Sequence, residues 1–348
     1  MLSKRPKLNK KTFLKGKFQR KYEIYLSEQF PVRAQCRRLK TNLERLLGSR
    51  DAEGVYFGKD GYLLEKYQER DFEWKKIKKD LNRVAKFLQR YPNTQVMFIP
   101  SKSNILSGKL PPFAEESGEE RFWGLVDDKI AEEQQIKVTK ALQAHVTEYV
   151  YYRSDHHWTA LGAYYAYQEW AKAVGVRALS QEDFRITPVT DEFLGTTYAK
   201  VRTKTKPDTI HLYEEKNGNQ WKLDFNMGEF QSESLFDETK LKGDDPYQVF
   251  MDGNQAIVDI QTEFAADSKD VQLTNKDGSG KTLLLVKDSF GNCFAPFLAN
   301  HYKRIIVIDL RHVNIPVGKL LKVYPADDIL ILYNSIQFME DRNISKIK

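Results

Sequence analysis

The chain has 348 residues, 41% of them hydrophobic and 30% charged, with a net charge of +7. This length can bury one large core, or a main unit with a smaller partner. No run of about 18 apolar residues occurs, which excludes a membrane-spanning helix within the sequence. The basic start, MLSKRPKLNKK, has no apolar stretch behind it and does not read as a signal peptide.

Residues 17 to 48 read as helical, interrupted at Pro31 and closed by Gly48. They belong to an N-terminal helical segment, 1–50, ahead of a main unit, 51–348. In GVYFGKDGYLLEKY, aromatics alternate around a KDG turn, which predicts a hairpin of Val55 to Phe57 with Tyr62 to Leu64. Phe72, Ile77, Leu81, Val84 and Leu88 make one apolar face of a helix over 71–90. TQVMFIP is a buried strand that ends in a polar loop, and another helix is expected over 121–133. VTEYVYY (146–152) is the next expected strand and TALGAYYAYQEWAKAVG the next helix, with Thr159 as its cap. Residues 180–275 break the rhythm. Charged turns alternate with β-like runs such as TIHLYEE and YQVFMDG, so a β-rich insertion is expected. KTLLLVK, RIIVID and DDILILYN then restore an α/β pattern with aliphatic strands suited to a parallel sheet.

Positive charge invites a nucleic-acid reading, but Lys and Arg are spread along the chain, with much of the excess in the first 50 residues. No zinc-finger spacing, RNP-like segment or heptad repeat accompanies them, and no nucleic-acid partner is expected. Cys36 and Cys293 make no disulfide framework.

Two turns that follow expected strands carry the chemistry, where open α/β sheets place their sites. Ser289 follows the apolar strand TLLLV and opens a helix. Its hydroxyl stands near first-turn N–H groups that can steady an oxyanion. The plain alternative is a helix N-cap. Cys293, one turn on, is a second possible nucleophile, but its phenylalanine surroundings read as inert core. A serine nucleophile needs a base, and the base needs an acid to hold its tautomer. Asp155 and His157 can supply both from one turn. His156 then points elsewhere, and Trp158 walls the pocket. Two other readings of Asp155-His156-His157 stay open. They are metal-ligand types, although His145, His211, His301 and His312 add no ligand spacing. They could equally be a packed pair of histidines without function.

The stretch YYRSDHHWTALGAYYAY resembles the motif that names the DHHW family of bacterial proteins. GVYFGKDGYLLEKY, IPSKSNIL with LPPFA, FLGTTYAK and KDSFGNCFAPFLANHYKRIIVIDLR resemble further segments of that family, so the resemblance covers nearly the whole chain. It implies a three-layer α/β/α sandwich like that of SGNH hydrolases, with a mostly parallel sheet and a β-rich insertion at 180–275. The family is related to alginate O-acetyltransferase-like proteins of exopolysaccharide export, in which Asp-x-His precedes the serine. Asp155 and His157 match that motif, Ser289 matches the nucleophile, and His156 fills the variable middle position.

The implied activity is serine-dependent O-acyl transfer or ester hydrolysis on a cell-surface or exported polysaccharide, without metal or cofactor. The implied partners are an exopolysaccharide or cell-wall glycan and a membrane acyltransferase that donates acetyl groups. The family's usual anchor upstream of a segment like LSKRPKLN implies an extracytoplasmic, membrane-anchored or cell-surface location. No standard Gly or Asn block of an SGNH oxyanion hole is present. The candidates are the Ser289 N–H with Ser101, Lys102, Asn104 or Asn292, while Arg311, Trp158 and His156 are candidate substrate contacts, as is Arg153. Two readings from other classes remain: a non-catalytic carbohydrate-binding or assembly protein, and a metal-dependent phosphoesterase.

Overall fold

The computed structural model describes residues 33–115 and 117–348, with Arg5, Pro6, Phe18, Lys21, Tyr22 and Tyr25 before them. Most of the helical stretch expected over 17–32 lies outside the described residues. The remainder is helix α1, Arg33–Leu46. It ends as the sequence predicts. Gly48 takes a left-handed φ of 91°. The Ser49 N–H reaches the Glu44 carbonyl and the Gly48 N–H the Arg45 carbonyl, the paired bonds of a Schellman stop.

The short strands β1 (Asp51–Ala52), β2 (Val55–Phe57) and β3 (Leu63–Glu65) form a small antiparallel sheet in that order, and β2 with β3 makes the expected hairpin. Helix α2 (Trp74–Arg90) buries Ile77, Leu81, Val84, Phe87 and Leu88 along one face. Each such side chain contributes about 1.5–3 kcal/mol through burial. Strand β4 (Thr94–Ile99) follows, then helices α3 (Glu119–Lys129) and α4 (Ala160–Val174). The expected strand over 146–152 does not form. Only Tyr151 makes a bridge, to Trp158, because the chain folds straight back on itself there. The Tyr152 N–H reaches the His157 carbonyl, and the Thr159 N–H reaches that of Val150.

Strands β5 (Phe184–Phe193) and β6 (Asp208–Glu215) pair as a separate ribbon. Strands β7 (Gln220–Phe225), β8 (Phe230–Ser232), β9 (Ile257–Glu263), β10 (Thr282–Lys287), β11 (Arg304–Asp309) and β12 (Asp328–Asn334) join β4 in one seven-stranded sheet, ordered β4-β12-β10-β11-β9-β7-β8. The sheet is mixed rather than mostly parallel. β4, β12, β10 and β11 run parallel, whereas β9, β7 and β8 add antiparallel pairs. For the β7–β8 pair the reason is local. β7 and β8 are joined by a tight turn in which Asn226, Met227 and Gly228 all take positive φ, so no crossover helix separates them. YQVFMDG is no strand either; Pro246–Val249 wind into a 3-10 turn.

In the parallel half, alternate residues face opposite sides. Met97, Leu285, Val307 and Leu332 point into a core shared with α4 and with α5 (Phe290–Leu298). Phe98, Val286, Ile308 and Ile331 point into another, shared with α2, α3, α6 (Val317–Val323) and α7 (Ser335–Glu340). The carboxyl ends of these strands deliver Ser101, Ser289, Arg311 and Asn334 to one edge of the sheet. Among the described residues no helix is long and apolar enough to cross a membrane.

Candidate active site

Ser289 sits where β10 passes into α5. It does not cap that helix. The cap is Asp288, whose Oδ1 accepts the Phe290 N–H at 2.9 Å and whose Oδ2 accepts the Asn334 N–H at 2.7 Å. The Ser289 hydroxyl is thereby released, and its Oγ lies 2.7 Å from Nε2 of His157. Nδ1 of His157 lies 2.5 Å from Oδ1 of Asp155, which also accepts the His157 N–H at 2.9 Å. Asp155 Oδ2 is bonded twice by Thr196, from its N–H at 2.7 Å and its hydroxyl at 2.8 Å.

Four donors thus converge on the Asp155 carboxyl. Burial pushes its pKa up, but His157 and His156 beside it, with the bonds from His157, hold it well below the ordinary carboxylate range. Burial lowers the His157 imidazole to about 4, aided by His156 and opposed by Asp155. At neutral pH the pair is therefore carboxylate and neutral imidazole. An ionised Asp155 has no proton to give, so Nδ1–H is the donor and Nε2 accepts from the Ser289 hydroxyl. Tyr247 stacks on the imidazole at 4.0 Å and 12°, and Phe290 packs against it at 4.9 Å.

The loop that carries Asp155 and His157 is held from three directions. The buried Nζ of Lys102 donates to the carbonyls of Tyr152 at 3.1 Å, Arg153 at 3.3 Å and Asp155 at 2.6 Å. Burial lowers its pKa to about 8, with Glu65, Asp155 and Asp208 opposing. Asp208, which opens β6, accepts the Arg153 N–H at 2.8 Å and the Ser154 N–H at 2.7 Å. Trp158 is fully buried and donates to the Phe290 carbonyl at 3.2 Å. It ties the loop to α5 from beneath and does not wall a pocket, because its indole is spent on that carbonyl and on Phe294.

The other expected residues divide. The Ser101 hydroxyl bonds the buried Glu119, and its N–H reaches the same carboxylate at 2.9 Å, so Ser101 anchors α3 and is not free to meet an oxyanion. Asn104 donates its N–H to Ser101 Oγ at 3.2 Å and lines a side groove. His156 is half-buried and bonds Thr196 through Nδ1 at 2.7 Å. Asn292 is buried, bonded by Lys287, and donates to Asn254 Oδ1 at 3.0 Å. Arg311 is not a free surface arginine. It grips Asp309 through Nε at 2.9 Å and Nη2 at 2.5 Å and reaches Asn254 at 3.2 Å. Arg153 stacks over the Tyr149 ring at 4.6 Å. Cys293 is buried, its pKa pushed up by burial, whereas Cys36 is exposed. Thr196, Asp208, Tyr247 and Asn254 complete the site without belonging to a chemical motif of the sequence. FLGTTYAK was the one available signal, for Thr196.

A narrow crevice beside His156 and Lys102 shares Glu65, Tyr67 and Ser103 with a groove of 340 Å³ that Tyr56, Asn104 and Glu115 help to line. A larger cleft, 820 Å³ around Trp221, Lys222 and Arg304, contains none of the residues above. Asp155, His156 and His157 offer ligand atoms within 4.8 Å of one another, the one such cluster among the described residues. Each residue offers a cation one atom, and a cation held by Asp155 and Nδ1 of His157 would displace the hydrogen bond between them.

Fold and site together define an α/β protein whose Asp-x-His loop meets a serine at the carboxyl edge of parallel strands. The family model described as DHHW protein matches residues 128–308, just over half the chain, and the chain belongs to the DHHW family. A solved DHHW family protein from Eubacterium siraeum DSM 15702 aligns with a TM-score of 0.68 at 23% identity, over 85% of this chain and 95% of that one. Bacillus cereus PatB1 with a sulfonyl adduct aligns with a TM-score of 0.64 at 19% identity, over 82% of this chain and 96% of that one. These likenesses establish a shared fold. No curated protein matches the chain.

Proposed function

We propose that the chain is an SGNH-type serine O-acyltransferase or acetylesterase acting on a carbohydrate outside the cytoplasm. The observation that carries this reading is the unbroken line of hydrogen bonds from Asp155 through His157 to Ser289. Ser289 Oγ attacks the acyl carbonyl of a donor ester, and the bond from that carbonyl to the donor oxygen breaks. His157 Nε2 takes the hydroxyl proton and returns it to the departing oxygen. A sugar hydroxyl or water then attacks the Ser289 ester, loses its proton to His157, and Ser289 leaves as the free hydroxyl. Asp155 holds the Nδ1 tautomer and stabilises the imidazolium formed in each half.

The Ser289 N–H, which has no protein acceptor among the described hydrogen bonds, is positioned to receive the oxyanion. Asn254 is exposed, and Asn292 and Arg311 fix its Oδ1, so its amide N–H groups are free to meet substrate. The groove that shares Glu65, Tyr67 and Ser103 with the crevice beside His156 offers Tyr56 and Tyr67 rings with amide and hydroxyl groups, a lining suited to a glycan. The sulfonyl adduct on PatB1 is in keeping with a reactive nucleophile on this fold. The family resemblance supplies the polysaccharide and a membrane acyl donor as the expected partners.

The test is p-nitrophenyl acetate hydrolysis by wild type and Ser289→Ala, with burst kinetics and intact mass. A Ser289-dependent burst with one added acetyl group supports the acyl-enzyme. Turnover that survives Ser289→Ala and disappears with a chelator would replace it with the metal reading.

A further inference from the structure

The charge of this chain is divided very unevenly. Its first 48 residues hold fourteen Lys and Arg against three Glu, a net +11, which leaves −4 for the other 300. Helix α1 closes that basic stretch, and it lies on the protein the wrong way round. Its polar side is the docked one. Thr41 is buried. Arg37 reaches the Lys200 carbonyl at 3.4 Å, and Arg45 reaches that of Lys204 at 3.0 Å and sits over the Phe57 ring at 5.3 Å. These positions are spaced by four, so they form one face.

At about 100° per residue, Leu39, Leu43, Leu46 and Leu47 fall on the opposite face. They are 71%, 54%, 83% and 78% exposed. An ordinary amphipathic helix turns such a row inward. Here four leucines stand in solvent, flanked by Arg38 and by Lys40, which is paired with Glu53 at 3.0 Å, and preceded by a strongly basic sequence.

We propose that α1 is a membrane-surface helix that attaches this protein to anionic phospholipid. Leucines on one side and basic groups around them suit a helix lying in the plane of the headgroups. The leucines enter the acyl boundary while Lys and Arg meet lipid phosphates. Charge selects this occupant over a second copy of the chain. Pairing two copies through α1 would bring two +11 segments together, whereas an anionic surface neutralises them. The attachment needs no spanning segment and is independent of the chemistry at Ser289.

The experiment is co-sedimentation of the full chain with vesicles of phosphatidylglycerol and phosphatidylcholine, and with phosphatidylcholine alone. Wild type is expected to bind the anionic vesicles, to release as salt rises, and to ignore the neutral ones. Leu39→Glu with Leu43→Glu should weaken binding by at least about tenfold, the effect of losing roughly two buried leucines. Its melting temperature and p-nitrophenyl acetate turnover should not change. Three results would overturn the proposal: no binding of wild type to anionic vesicles, equal binding by the variant, or a wild-type dimer that the substitutions convert to monomer.

Discussion

The Nζ of Lys102, just beyond the end of β4, lies 2.6 Å from the carbonyl oxygen of Asp155. One buried ammonium group thus gathers three carbonyls of the loop that presents Asp155 and His157. Lys102→Met removes it without changing much volume and leaves the Tyr152 and Asp155 carbonyls buried without a donor, at about 1–3 kcal/mol for each unsatisfied group, while the Arg153 carbonyl keeps the Leu63 N–H at 2.9 Å. The expected result is a kcat for p-nitrophenyl acetate lowered by about ten- to a hundredfold, with KM little changed, because the loop shifts by a fraction of the distance that aligns the reacting atoms. A KM effect at constant kcat would instead make Lys102 a substrate contact.

Ser289→Ala should separate activity from stability. The hydroxyl caps nothing, so the usual N-cap loss does not apply. One hydrogen bond to His157 is lost, about 1 kcal/mol. Activity is expected to fall by at least about a thousandfold, while the melting temperature drops by no more than about 4 °C. Calorimetry beside kinetics reads both.

Gly195 presses against Asp155. A β-carbon placed there would overlap the Asp155 carboxylate, although φ of −86° suits any residue. Gly195→Ala therefore acts through space alone, displacing the carboxylate or the Thr196 donors beside it. Turnover should fall by about tenfold or more, with a stability loss of about 1–3 kcal/mol. Unchanged kcat would mean that the loop yields freely.

His157 and His301 are both buried, and burial lowers each to about 4, against 6.5 for the unperturbed ring. Between pH 6.5 and 4 the unfolded chain binds their protons and the folded chain does not, so stability falls as pH falls. The slope is about 1.4 kcal/mol per pH unit for each histidine. Above pH 6.5 this dependence vanishes. Denaturant melts from pH 7 to 4 should show it, and His301→Gln should halve it. The acid limb of kcat/KM is expected near 4, since the base serves only when neutral.

Much of this arrangement is legible in the sequence because it lies at strand ends. TLLLVKDS places a serine just past an aliphatic strand, and Asp-His-His is a short polar break between aromatic runs. Helix α4 was equally plain, from Thr159 as its cap to the left-handed Gly175 at its end. VTEYVYY misled because β-branched and aromatic residues favour strands only where a partner strand is available. The mixed sheet was hidden for a related reason: β7 and β9 have short, half-polar strand patterns that give no sign of the sheet they join. Thr196, Asp208 and Tyr247 stand 40 to 90 residues from the histidines they support. Nothing local in their neighbourhoods marks a contact made across the fold.

The two cysteines differ in a way that matters at the bench. Cys293 is shut inside the core, its thiol held protonated by burial, while Cys36 is exposed on α1. At helical spacing Cys36 continues the row of Leu39, Leu43 and Leu46. Native protein therefore offers a thiol-reactive dye one address, on the face that meets lipid. An environment-sensitive fluorophore coupled there would shift its emission as that face leaves water, with no engineered residue in the chain.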